Sequence, residues 1–314
     1  MKNLVIALGG NALQEAGKPA TAQNQLEIVN KTCEYIADII KSGYHVTLAH
    51  GNGPQVGRII SQQNYAVPVS PAMPFDVCSA MSQGMIGYHL QQGMRRALRA
   101  RNMTTPVTTI VTQVVVDGND PGFKNPTKPI GAFYTREEVD ELLKVNPHHV
   151  FKEDAGRGWR RVVASPDPLE IVELETIKSL SREKILTITV GGGGIPVVRE
   201  EDGNIHGVAA VIDKDFASEK LAEDLDADAL VILTAVEKIS VNYKKLDQKD
   251  LSSMSIEEAE RYIAEGQFAP GSMLPKVQAA LRFVKSKPGR VAIVTSLDKA
   301  VDALAGKAGT TIKA

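Results

Sequence analysis

The sequence predicts an open α/β sheet with an anion site at its carboxyl edge, and three junctions carry that expectation. In each, a run rich in apolar or β-branched residues leads straight into glycine. Asn3-Leu4-Val5-Ile6-Ala7-Leu8 enters Gly9-Gly10-Asn11-Ala12, the run 44–50 enters Gly51-Asn52-Gly53, and the run 185–190 enters Gly191-Gly192-Gly193-Gly194. Such runs, bounded by turn signals, read as parallel strands buried on both faces. Glycines at their ends let backbone N–H groups approach an anion with no Cβ in the way. Ligands of open α/β sheets lie beyond the carboxyl ends of the strands. Three glycine loops delivered to one edge therefore suggest a single anion site, read here as phosphate.

Composition is compatible with that class and excludes others. At 314 residues and 43% hydrophobic, the chain can bury a sizeable core, as one large α/β domain or two smaller ones. Lys+Arg 36 against Asp+Glu 37 gives a net charge of -1, so no global basic field favours nucleic acid. Cys33 and Cys78 lie in apolar helical patterns and read as buried free thiols, not a disulfide framework. No run approaches a membrane span, and the start lacks a basic region followed by a cleavage site. The expectation is a soluble cytoplasmic protein.

Taken in order, residues 14–22 read as a loop with Gly17 and Pro19, before a helix carrying Leu26, Val29, Cys33, Ile36, Ala37 and Ile40 and ended by Gly43. Strand, helix and strand make a right-handed βαβ unit. Gly51, Gly53 and Gly57 form G-x-G-x-x-x-G, a near miss to the dinucleotide fingerprint. It also reads as a tight turn with Pro54 opening the next helix, whose N-terminal amides could hold an anion. After Pro68, Pro71 and Pro74, residues 76–101 predict a long helix with Met81, Met85, Tyr88, Leu90 and Met94 in the core. Arg95, Arg96, Arg99 and Arg101 form its solvated basic end. A β-branched strand is expected over 108–116. Residues 117–165, dense in Gly, Pro and charge, break the rhythm and read as an inserted subdomain. They hold the capping box Thr135-x-x-Glu138 and the only tryptophan, Trp159, among Arg157, Arg160 and Arg161. Within it Lys128 sits between two prolines, and on the residues alone is a surface lysine. His148-His149 is an exposed loop pair.

The rhythm resumes with a helix near 169–180, the strand from Ile185 and the four glycines, which imply close passage of backbone past a ligand or another loop. Residues 197–212 read as a strand pair turning at Asp202-Gly203-Asn204. Asp213-Lys214-Asp215 then opens a helix over 216–224. In one account Asp215 is its N-cap and Lys214 is exposed. In the other the lysine is aimed at phosphoryl oxygens and oriented by carboxylates, and the strand-to-helix position favours this second account. A strand over 229–234, a helix over 255–265 with the box Ser255-x-x-Glu258, and a helix opened by Pro275-Lys276 follow. Lys276 in a first turn opposes the helix dipole unless an anion sits there. A strand over 291–295 and a last helix from Leu297 close the chain.

Phosphoryl transfer needs positioning and positive charge more than covalent help, which glycine-loop amides with Lys128, Lys214 and Lys276 would supply. There is no G-x-x-x-x-G-K-[ST], no protein-kinase set, no H-E-x-x-H, no zinc-type Cys/His spacing and no G-x-S-x-G. The residues alone reach an α/β protein with a multi-loop anion site, compatible with a kinase.

Six blocks go further. Gly9-Gly10-Asn11-Ala12, the run His50-Gly51-Asn52-Gly53-Pro54-Gln55-Val56-Gly57, Asn125-Pro126-Thr127-Lys128-Pro129-Ile130-Gly131, Gly191-Gly192-Gly193-Gly194-Ile195-Pro196-Val197, Val211-Ile212-Asp213-Lys214-Asp215 and Gly271-Ser272-Met273-x-Pro275-Lys276 together resemble carbamate kinase, in order and spacing over essentially the whole chain. The Lys128 block in its insertion separates that family from its amino-acid-kinase relatives. The resemblance implies an open, mainly parallel eight-stranded sheet between helix layers, in a homodimer. It implies reversible transfer between ATP with Mg²⁺ and carbamate, giving ADP and carbamoyl phosphate, and commonly run towards ATP at the end of arginine deiminase catabolism. It divides the chain into an acceptor half of about 1–183, with the subdomain 117–165, and a nucleotide half of about 184–314.

By the same resemblance Gly9, Gly10, Asn11, Gly51, Asn52 and Gly53 lie near the transferring phosphoryl. Lys128, Lys214 and Lys276 stabilise its charge, and Asp215 orients lysines. Gly191, Gly192, Asp213, Lys214, Thr234, Ala235, Val236, Val241, Tyr243, Met273, Pro275 and Lys276 line the nucleotide site, with Asp213 helping to place metal or lysine. No protein-held metal site is implied. The family often has Gly at Leu274, Pro at Ala132, Thr-Asp at Thr234-Ala235 and Gly-Lys-Pro at Lys244-Lys245-Leu246, departures that bear on nucleotide preference. The subdomain is expected to lid the acceptor site. The alternatives are a kinase of another small carboxylate, such as an amino acid, and a nicotinamide-dependent oxidoreductase using Gly51–Gly57.

Overall fold

A computed structural model describes residues 2–14, 19–154, 156 and 158–314, with Asn11 described by its backbone only. Gly17 of the expected first loop and Arg157 of the insertion lie outside the described residues. The strand Asn3–Leu8 sits inside an eight-stranded sheet. Its order is Ser253–Met254, Thr310–Lys313, Val291–Ser296, Ala229–Thr234, Asn3–Leu8, His45–His50, Leu186–Thr189, Val107–Thr109. From Val291–Ser296 to Val107–Thr109 all neighbours are parallel, and Thr310–Lys313 runs antiparallel to Val291–Ser296.

Alternation along these strands divides the core into two layers. Val5, Ala7, Ala49, Leu230 and Ile232 pack with Ala217, Leu221, Val277, Ala280 and Phe283 of helices Lys214–Asp224 and Met273–Ser286. Leu4, Ile6, Leu8, Val46, Leu48 and Val231 face the other way, onto Val29, Cys33 and Ile36 of helix Ala22–Lys41 and Leu90 and Met94 of helix Phe75–Ala100. Both faces are covered, which is why the strands read as unbroken apolar runs.

Several elements differ from expectation. The strand expected over 108–116 is two strands, Val107–Thr109 in the main sheet and Gln113–Val115 in a four-stranded sheet with Ile195–Arg199, Ile205–Gly207 and Glu170–Ile171. Gln83, buried in helix Phe75–Ala100, sits at the break: Thr112 N donates to its Oε1 at 2.8 Å, and its Nε2 donates to Thr112 O at 3.1 Å. The helix expected near 169–180 begins at Leu174, because Leu169 N and Val172 N are bonded across to Val115 and Gln113 carbonyls. After Leu297 a short helix, Ala300–Leu304, is followed by the unforeseen strand Thr310–Lys313. Leu90 and Met94 are buried as expected, but Met81 and Tyr88 are exposed on the outer face of their helix. Arg101 is not solvated: it pairs with Asp38 at 2.7 Å and with Glu34 at 2.5 Å.

Residues 128–163 build a third, antiparallel sheet in the order Lys128–Tyr134, Trp159–Val163, Val150–Glu153. It carries helix Arg136–Val145, opened by the Thr135–Glu138 capping box. This sheet packs on helix Gly53–Ala66, where a Cβ on Gly57 would stand 2.4 Å from Gly131 Cα.

Candidate active site

The carboxyl ends of Asn3–Leu8, His45–His50 and Leu186–Thr189 emerge together, so Gly9, Gly10, Gly51, Asn52, Gly53 and Gly192 meet at one edge. Three adjoining cavities run along it. The first, about 220 Å³, is lined by Gly10, Gly51, Asn52, Gly53, Lys128, Gly192, Asp213, Lys214, Asp215, Pro275 and Lys276. The second, about 270 Å³, shares Gly10, Lys214, Ser272 and Lys276 with it and adds Gly9, Thr234 and Ala235. The third, also about 270 Å³, continues from Thr234 and Ala235 to Val236, Lys238, Tyr243, Phe268 and Met273. An elongated cleft with a basic, glycine-walled end and a more apolar end results.

The basic end is organised by two carboxylates. Asp213 is the N-cap of helix Lys214–Asp224, its Oδ1 accepting from Asp215 N at 2.8 Å, so the less favoured account, with Asp215 as the cap, does not hold. Its other oxygen pairs with Lys128 Nζ at 2.5 Å. Asp215, freed from capping, is 3% exposed and takes Lys214 on one oxygen and Lys276 Nζ on the other at 3.0 Å. Lys276 also donates to Ser272 O at 3.3 Å. Burial by itself would raise the Asp215 carboxyl, but the two ammonium groups more than reverse this and hold it down at about 2. Burial and the neighbouring Lys214 pull the Lys276 ammonium below its ordinary value, with Asp215 opposing. Three ammonium groups against two carboxylates leave one positive charge in excess, suited to a further anion.

The glycine wall is fixed from behind. Gln83 Nε2 donates to Gly191 O at 2.8 Å. Thr112 Oγ1 accepts from Val190 N at 3.1 Å, where the backbone is left-handed at φ 49. Gly192, at φ +67, lies so close to Asn52 that a Cβ would stand 2.2 Å from its Nδ2. Asn52 is itself held by donation to Ser82 Oγ at 2.8 Å. His50 Nδ1 donates to the Gly51 carbonyl at 2.9 Å, and burial pulls its imidazole down to about 4, leaving it neutral.

Of the residues singled out by sequence, Gly191 is buried with its carbonyl taken by Gln83. Val241 packs into the core instead of lining the cleft, and Tyr243 is an exposed rim residue. The Asn11 side chain lies outside the described residues. Gln83, Ser82, Ser272 and Phe268 were not anticipated. Ser272 stood within a quoted block, whereas Gln83 carries no local signal because its role depends on loops 29 and 108 residues away.

The model of the Amino acid kinase family matches residues 2–295. The chain is 55% identical to the carbamate kinase of Clostridium perfringens over 312 residues, covering 98% of this chain and 99% of that protein. It is 51% identical to the carbamate kinase of Pyrococcus horikoshii, covering 99% of each. The solved structure of carbamate kinase from Giardia lamblia bound to AMP-PNP superposes with a TM-score of 0.93 at 49% identity, over 99% of this chain and 98% of that one. With this geometry and these full-length similarities, the chain belongs to the amino acid kinase family, in its carbamate kinase branch.

Proposed function

We propose that the protein transfers a phosphoryl group reversibly between ATP and carbamate, giving ADP and carbamoyl phosphate. The observation that carries this reading is the convergence of Lys128, Lys214 and Lys276 on Asp213 and Asp215 at the mouth of the glycine loops. Lys214 and Lys276, held by one carboxylate, stabilise the charge on the transferring phosphoryl and leaving oxygen, and Lys128 does so from the acceptor side. Backbone amides of Gly9, Gly10, Asn11, Gly51 and Gly53 and the Asn52 side chain position the same group. The nucleotide base lies in the third cavity, by Val236, Tyr243 and Met273, with Ala235 and Pro275 along the path to the phosphates. Carbamate brings an anionic oxygen as nucleophile, so no strong base is needed; His50, buried and neutral, is not poised as one.

Among the described residues no group of three or more His, Cys, Asp and Glu could hold a metal ion. The two cleft carboxylates are both engaged by lysines. This donor set fits Mg²⁺ carried in on nucleotide phosphates, with Asp213 the residue that would hold it from the protein side. Bound there, the ion would neutralise charge on the nucleotide phosphates.

In this reading residues of about 1–183 take the acceptor and about 184–314 the nucleotide, and the segment 117–165 lids the acceptor site, carrying Lys128. The protein works in the cytoplasm as a homodimer, making ATP at the end of arginine deiminase catabolism. The exposed apolar stripe Val77, Met81 and Tyr88 on helix Phe75–Ala100 supports a partner subunit on that face. Among the described residues no helix is long and apolar enough to cross a membrane. The test is ATP formation from ADP, Mg²⁺ and carbamoyl phosphate in a coupled assay. Lys214→Ala is expected to lose roughly 10²–10³ in turnover, and a variant within a few-fold of wild type would remove Lys214 from the mechanism. Turnover with another acyl phosphate but not carbamoyl phosphate would move the acceptor to a different small acid.

A further inference from the structure

A fourth cavity, of about 50 Å³, lies in the seam between helix Gly53–Ala66 and the three-stranded sheet. Arg161 is among the residues that line it. Ile130 and Phe151 are its register partners on the two flanking strands, so all three side chains share one face of the sheet. That face is the one turned to the helix, because Ile130 is buried against Ile60. The neighbouring Arg160 points to the opposite face and is occupied there by Gly131 O and Asp154. Arg161, by contrast, is half-buried with no hydrogen-bond or carboxylate partner among the described residues. Two aromatic edges close the rim, since Tyr134 and His149 each meet the Phe151 ring edge-on, at 5.8 and 6.5 Å between centroids. Asn64 offers a polar group from the helix side.

No Arg161 nitrogen is both fully buried and unpartnered among the described residues, so its guanidinium keeps water that an anion with matching oxygens can displace. At roughly 10–15 Å³ for each water-sized sphere, the cavity takes three or four heavy atoms. That is the size of formate, acetate or bicarbonate, whose planar oxygens match the guanidinium fork. We propose that this seam binds a small planar oxyanion of the carboxylate class, with Arg161 as its counter-charge and the Tyr134, His149 and Phe151 rings as its rim. The site is separate from the phosphoryl cleft. The two share Ile130, and the close Gly57–Gly131 backbone contact lies between them. Since both walls belong to different elements, occupancy ties the sheet that carries Lys128 to the helix that begins at Gly53.

Histidine-selective NMR of the full-length protein, titrated with sodium formate against matched chloride, reads the two regions apart. His149 reports the seam, and His50, bonded to Gly51, reports the cleft. A saturable His149 shift with formate is expected. It should weaken roughly tenfold or more in Arg161→Gln, from loss of one charge-assisted pair. Asn64→Leu, which alters the helix side and leaves the sheet intact, should weaken it too and serves if Arg161→Gln does not fold. Bicarbonate and acetate should act like formate, and inorganic phosphate more weakly. No saturable His149 shift, an equal shift with chloride, or an unchanged response in both variants overturns the proposal. Tighter response to phosphate overturns the planar-oxyanion assignment. Formate moving His50 alone places the anion in the phosphoryl cleft, which overturns this site while leaving the kinase reading intact.

Discussion

Replacing Asp215 by Asn tests how the lysines of the cleft are held. In the wild type this carboxylate, 3% exposed, sits between Lys214 and Lys276 and titrates at about 2 instead of 3.8. At about 1.36 kcal/mol per unit, that depression corresponds to about 2 kcal/mol of folding stability. Breaking a buried ionic cluster on one side costs up to ~3–5 kcal/mol, because the remaining charges lose their partner. The folded value lies below the unfolded one, so the contribution is complete above about pH 4 and disappears as pH falls through about 2. Urea unfolding at neutral pH should therefore show Asp215→Asn less stable by roughly 2–4 kcal/mol. The gap between the two proteins should close as the titration moves from about pH 4 towards pH 2. Millimolar phosphate should return more stability to the variant than to the wild type, because two uncompensated ammonium groups face the cleft. A gap below about 0.5 kcal/mol at neutral pH, or one of constant size down to pH 2, would refute the role given to this carboxylate.

Two further perturbations test the frame around the site. Gly192→Ala places a methyl 2.2 Å from Asn52 Nδ2 at φ +67, and should cost ~1–3 kcal/mol while displacing Asn52 and lowering turnover. Thermal unfolding of Gly192→Ala within about 0.5 kcal/mol of wild type would refute the close packing of the four-glycine turn. Because burial lowers His50 from 6.5 to about 4, wild-type stability should fall as pH drops from about 6.5 towards 4, by on the order of 3 kcal/mol in full. His50→Gln should show a shallower decline over that window, and an identical slope would remove His50 as its source.

Local signals were legible in the chain alone. The strand-to-glycine junctions at Leu8, His50 and Val190 are written in consecutive residues, because doubly covered parallel strands need unbroken apolar runs and close loop approach needs glycine. The capping boxes at Thr135 and Ser255 were legible for the same reason. Helical periodicity on residues 75–100 correctly marked Leu90 and Met94, but could not tell that Met81 and Tyr88 lie on the exposed side of their helix. The closing strand Thr310–Lys313 has meaning only beside Val291–Ser296. At the site, Lys128 read alone is a surface lysine, and the fold brings it onto Asp213, 85 residues later. Asp213 satisfies the helix amide, which leaves Asp215 buried between Lys214 and Lys276. Gln83 pins Thr112 and Gly191 from another layer of the fold. Tertiary structure decided these because a charge or an amide takes its partner from whatever the folded chain brings within hydrogen-bond reach, and sequence spacing does not fix that distance.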